Sequence, residues 1–177
     1  MNLLLRFLWT LLTARWRGRI GPLDEARLRL RVLPTDLDVN LHMNNGRYLS
    51  IMDLGRMDYV ARVGLFGVML RNRWRPLVGS VTVRYRRPLR PFQRYELVTR
   101  TLCWDDKWIY MEQRFERRGE LVAQAFVKVL FGTAGRTLRS REVLKALGQE
   151  MRSPHMPPYI EALRLAEGLT EEKLGRV

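Results

Sequence analysis

Between Asp36 and Asn45 the chain reads DLDVNLHMNN. Asp36, Asp38, Asn40, His42 and Asn44 share one parity, and Leu37, Val39, Leu41 and Met43 share the other. Alternation alone fits a strand with one solvated face. Brought together, the same groups suit work on an activated carbonyl. A carboxylate activates water or attacks directly, and imidazole and carboxamide neighbours orient it. Asp38, flanked by Leu37 and Val39, is the carboxylate whose burial would be costly without a purpose. Asp36 follows Pro34-Thr35 and reads as a turn former, while His42 suits either an orienting or a structural role.

The residues that follow explain why this position matters. GRYLSIMDLGRMDYVARVGLF (46–66) is too long for a strand and predicts a helix, with Tyr48, Leu49, Met52, Tyr59, Val60 and Val63 as core candidates. The first turn of a helix has unpaired N–H groups and a positive dipole end, so Asn44, Asn45 and Gly46 stand where backbone amides polarise a carbonyl. Asn44 or Asn45 also reads as the N-cap. Gly55 inside the helix predicts a close backbone approach to a sheet.

The sheet itself is legible on either side. ARLRLRVL (26–33) alternates Leu28, Leu30 and Val32 with three arginines. Stretches 77–87, 95–104, 107–118 and 120–131 are rich in β-branched and aromatic residues, and the last two connectors are of hairpin length. The expected fold is α+β: an antiparallel sheet, its last four strands in a meander, wrapped around one long helix. Short helices are expected at 140–151 and 157–169, around a proline-rich break.

At 177 residues a single core suffices. The net charge is +14, from 32 Lys+Arg against 18 Asp+Glu, which favours anionic partners. No helix-turn-helix, zinc or RNA-binding signature accompanies it, so nucleic acid is not an expected partner. A single cysteine, Cys103, suits a reducing compartment and reads as an inert core thiol. The first nineteen residues hold a short apolar run followed by arginines. The run is too short to span a bilayer, and its charges come last, unlike a secretory signal. Leu4, Phe7, Leu8, Leu11 and Leu12 fall on one helical face, with Trp9, Trp16, Arg15, Arg17 and Arg19 suited to the headgroup level of an anionic leaflet. The alternative is a helix docked on its own domain or on a dimer partner.

DLDVNLHMNNGRYLSIMD, a long helix and then strands containing YRRPL resemble the hotdog-fold thioesterase superfamily. The likeness is to its 4-hydroxybenzoyl-CoA thioesterase-like and acyl-carrier-protein thioesterase branches. The hydrophobic start is similar to that of the membrane-associated thioesterase superfamily member six branch. The hotdog likeness covers residues 24–133, leaving 1–20 as an amphipathic, membrane-associating helix and 134–177 as a helical extension. The resemblance implies a hotdog fold and hydrolysis of an acyl-CoA or acyl-carrier-protein thioester without a cofactor. It also implies a homodimer or dimer of dimers with sites at the subunit interface. By the same likeness Asp38 is the base or nucleophile, with Asn40 and His42 beside it. Asn44, Asn45, Gly46 and Tyr48 line the substrate at the helix start. Gly79 and Ser80 suggest close approach by a ligand or partner chain, and Arg87, in the cluster with Arg84, Arg86 and Arg90, suits the phosphates of coenzyme A. The expected location is cytoplasmic, with peripheral attachment to the inner membrane face.

The chain departs from these relatives in places. The further acidic residue and cysteine of the carrier-protein enzymes have no counterpart that can be placed. Asp53 and Asp58 occupy the helix where other branches carry a glutamate. Two alternatives stay open: a non-catalytic acyl-binding hotdog protein, and an enoyl-CoA hydratase. The hydratase pattern Gly-Asp-x-Asn-Pro-Leu/Ile-His is only partly met, since the glycine and proline are missing and His42 comes one residue early.

Overall fold

The computed structural model describes residues 2–174. Helix α1 (Asn2–Ala14) runs into a short 3-10 turn (Arg15–Arg17), followed by strand β1 (Ala26–Arg31) and a second 3-10 turn (Pro34–Asp36). Helices α2 (Asn45–Arg62) and α3 (Leu65–Asn72) precede strands β2 (Arg75–Tyr85), β3 (Arg94–Trp104), β4 (Ile109–Arg117) and β5 (Glu120–Gly132). Helices α4 (Ser140–Ala146) and α5 (Pro158–Leu174) complete the order. The five strands form one antiparallel sheet in the order β1-β3-β4-β5-β2, packed on α2 as a hotdog.

Two expectations are corrected. The long helix is broken at Gly64, which takes a left-handed φ of 86° and separates α2 from α3. The last four strands are not a continuous meander, because β2 pairs with β5 and lies at the edge opposite β1. The cause is the connection over residues 86–93, too long and proline-rich for a tight turn. It crosses the fold with Leu89 fully buried, and the Leu89 carbonyl accepts the Met43 N–H at 2.8 Å. That bond fastens the crossing to the polar stretch that opens α2.

The inner face holds the core. Tyr48, Met52, Tyr59 and Val60 are buried, Val63 is partly so, and Leu49 is instead exposed. At Gly55 the helix packs directly on side chains of the sheet: a Cβ there would sit 2.5 Å from Leu97 Cδ2 and 2.7 Å from Thr99 Oγ1. Beneath it the fully buried Gln113 donates to the Met52 carbonyl and to Thr99, and accepts from Arg56. Gly55→Ala is therefore expected to cost about 1–3 kcal/mol by overpacking, measurable as a lower denaturation midpoint.

The outer face carries much of the arginine. Arg114 reaches Glu25, Glu112 and Glu116 at 2.6, 2.8 and 2.9 Å, Arg100 reaches Glu112 at 2.7 Å, and Arg29 reaches Glu96 at 2.9 Å. The Arg29 hydrogen bond holds Glu96 below the usual carboxylate range. Burial pushes Glu25 and Glu112 upward, yet their hydrogen-bonded neighbours win and both end lower. These groups bind fewer protons folded than unfolded, so their contribution is complete above about pH 4.5 and is lost as pH falls through their folded values. Stability measured by denaturant is expected to drop on acidification below that point. In Arg114→Met the drop should be shallower, because the carboxylates start less depressed.

Candidate active site

The stretch that alternates in sequence does not form a strand. After the 3-10 turn, residues 37–43 close a compact loop through a Leu37–Met43 bridge. The Asp38 N–H donates to the His42 carbonyl at 2.9 Å, and Leu41 turns the corner with φ 55°. Asp38 Oδ1 accepts the Asn40 backbone N–H at 2.9 Å, while Asp38 Oδ2 lies 3.3 Å from His42 Nδ1. Asp38 is thus hydrogen-bonded through Oδ1, with the His42 imidazole close to Oδ2, and is still reachable, its side chain 19% exposed. His42 meets it through the imidazole, whereas Asn40 meets it through the main chain. Burial follows loop geometry rather than parity, since Val39 is 95% and Leu41 69% exposed.

Asp36 is the anchor of this loop, a role beyond the turn-forming one expected. Its side chain is 1% exposed and accepts two bonds from Arg6 of α1, at 2.8 and 3.2 Å. The Leu33 N–H donates to it at 2.9 Å, and Arg47 Nε stands 3.3 Å away. Its backbone carbonyl accepts the Asn44 N–H at 2.9 Å. One buried carboxylate therefore ties together α1, the loop and the first turn of α2. No local pattern announces this, because Arg6 lies thirty positions upstream.

At the helix mouth Asn44 is the N-cap, its Oδ1 accepting the Gly46 N–H at 2.8 Å. The cap satisfies Gly46, and the Asn45 N–H has no acceptor among the described residues. The Asn45 carbonyl accepts the Tyr85 hydroxyl at 3.0 Å from the end of β2. Tyr48, one turn further in, is buried edge-on against Tyr85 and Phe115, and burial pushes its phenol up to about 12. A half-buried carboxylate beside a helix mouth with an amide to offer is an arrangement for adding water to a polarised carbonyl.

Comparison with known proteins follows the same lines. The family model described as the thioesterase-like superfamily matches residues 32–162. The chain belongs to this superfamily. Protein THEM6 of Drosophila melanogaster is 31% identical over 144 residues, 80% of this chain and 72% of that one. Protein THEM6 of Xenopus laevis is 49% identical over 84 residues, 48% of this chain and only 41% of its own length. The chain therefore spans less than half of that relative. Among solved structures, a thioesterase from Thermus thermophilus complexed with coenzyme A and Zn superposes with a TM-score of 0.60 at 26% identity, over 75% of this chain and 100% of that one.

Other residues expected at the site of this thioesterase-like chain stand apart from the loop. Gly79 sits at a bulge in β2, and the close approach it permits is that of its own Trp108, whose ring carbons lie 2.6 Å from an added Cβ. Ser80 bonds Glu167 of α5, and Arg87 pairs with Glu120 on an exposed surface. Cys103 is fully buried, and burial with the Asp105 charge pushes its thiol up to about 11, far from a nucleophile. Asp53 is exposed and paired with Arg56. Asp58 is buried and paired at 2.6 Å with Arg17 of the 3-10 turn that follows α1, fastening that turn to α2; burial pushes its carboxyl up against the pull of Arg17.

Proposed function

We propose that this protein hydrolyses acyl thioesters, with Asp38 as the catalytic carboxylate. The observation that carries the reading is the Asp38 carboxylate, fixed by the Asn40 amide and His42, beside the α2 start. Acting as base, Asp38 takes a proton from water while the hydroxyl adds to the thioester carbon. The developing oxyanion is met by the Asn45 N–H and the α2 dipole. The C–S bond then breaks, and the proton held on Asp38 passes to the leaving thiolate, giving one acid and one thiol. The alternative first step, direct attack by Asp38, uses the same geometry through an anhydride that water then opens.

A coenzyme A or carrier-protein thioester is the substrate class, supported by the net charge of +14 and by the coenzyme A bound to the Thermus neighbour. The working form is a homodimer. Support comes from β2, an edge strand of 11 residues with Leu77, Val78 and Tyr85 exposed, and from exposed Val39 and Leu41 on the site loop.

Helix α1 lies peripherally on a membrane. Its polar side, Arg6 and Thr13, turns inward to the domain together with Arg17 of the following 3-10 turn, while Leu4, Leu5, Leu8, Trp9 and Leu12, and Trp16 of that turn, face outward. Phe7, expected on the membrane face, packs on the core instead. No described helix is long and apolar enough to cross a bilayer. The test of function is a thiol-release assay on saturated and enoyl-CoA thioesters. Release of free thiol from both is expected. Loss of the enoyl double bond without thiol release would make the protein a hydratase.

A further inference from the structure

We propose that Arg31, Arg94 and Arg118 form a phosphate site for the headgroups of anionic phospholipids, beside the outward face of α1. This rests on the membrane reading of α1 given above and adds a lipid-selective site to it.

The register of the outer sheet face brings these arginines into one row. Arg29 pairs across β1–β3 with Glu96, and Glu96 across β3–β4 with Glu116. That row is balanced, since Arg29 bonds Glu96 and Arg27 bonds both Glu96 and Glu116. Two residues further along each strand the pattern changes. Arg31 is the direct cross-strand partner of Arg94, and Arg118 continues the same row in the β4–β5 turn. All three are exposed, and none has an ion pair among the described residues. Like charges directly opposite on a sheet repel, and a shared anion relieves that repulsion. Guanidinium forks match phosphate oxygens in shape as well as charge.

The row lines an open groove of about 890 Å³ that also takes in Trp9 and Tyr95. The Tyr95 hydroxyl is buried and has no hydrogen-bond partner among the described residues. Trp9 belongs to both surfaces, because it borders the groove and is 68% exposed within the apolar stripe of α1. A tryptophan between an apolar stripe and an arginine row matches the layering of a leaflet, acyl chains below and phosphates above. That continuity favours a lipid phosphate over a free one.

The test uses the full chain and flotation with vesicles of phosphatidylcholine alone or mixed with phosphatidylglycerol. Wild type is expected to float with the mixed vesicles. The triple variant R31Q/R94Q/R118Q is expected to bind them about 100-fold more weakly, given the usual contribution of each arginine near an anionic surface. Its hydrolysis of a soluble short-chain acyl-CoA should not change. The control R71Q/R141Q/R152Q removes the same charge from exposed arginines outside the row and should bind nearly as wild type. Equal weakening of the two triples would overturn the site and leave the membrane reading standing. So would unchanged flotation of the row variant with lost coenzyme A binding in calorimetry, which would make the phosphate a soluble one. Wild type that floats with no vesicle would overturn the membrane reading itself.

Discussion

Asp38→Asn is expected to reduce thioester hydrolysis by about 100- to 10,000-fold while leaving the fold intact. The substitution keeps the shape of the side chain and an oxygen for the Asn40 N–H, so the loop has no reason to open. What it removes is the basicity that takes a proton from water, or the anion that attacks. A residual rate is expected, because the helix mouth still polarises the carbonyl. If the variant retained the wild-type rate, with its circular dichroism and melting unchanged, Asp38 would have no chemical role. Asp36 gives the contrast. It lies two residues away with every oxygen engaged inside the protein, so its replacement should act through stability and loop order.

The second large effect is expected at Arg6, far from Asp38 in sequence. Arg6→Met removes both bonds from α1 to a carboxylate that is 1% exposed, leaving Arg47 as its one ion-pair partner among the described residues. Breaking one side of a buried pair typically costs about 3–5 kcal/mol, mainly for the charge left behind. Urea unfolding of Arg6→Met should show that loss, and Arg6→Met/Asp36→Asn should recover part of it, since the amide carries no charge to strand. A double variant no better than the single would mean that Arg6 stabilises by packing alone. The activity of Arg6→Met should fall even where it is folded, because the same carboxylate fixes the loop that carries Asp38.

Much of this architecture can be read from local pattern. Period-two alternation places β1, and the length of the 46–66 stretch gives the central helix. Gly55 marks a close contact of helix and sheet, where Leu97 and Thr99 stand. The junction of DLDVNLHMNN with a helix start points to the site. Features set by distant partners are not legible in this way. Strand order depends on the crossing at 86–93, whose buried Leu89 looks in sequence like any loop leucine. Asp36 looks like a turn residue because its partner Arg6 sits thirty positions upstream in a segment that reads as mostly apolar. The same holds for the N-terminal segment, where Arg6 of α1 and Arg17 of the 3-10 turn point inward to two buried aspartates, so the outward face is more apolar than the composition suggests. The alternation of the site loop misleads for a related reason: a left-handed Leu41 and an Asp38–Asn40 turn override the pleat.

The central claim is that the half-buried carboxylate at the mouth of α2 hydrolyses a thioester. The most direct measurement is free thiol released from acyl-CoA by purified wild type and Asp38→Asn, side by side, across short to long chains. The expected result is stoichiometric acid and thiol from wild type on at least one chain length, and near-background release from the variant. Thiol release at the same rate by both proteins, or by neither on any chain length, would contradict the account.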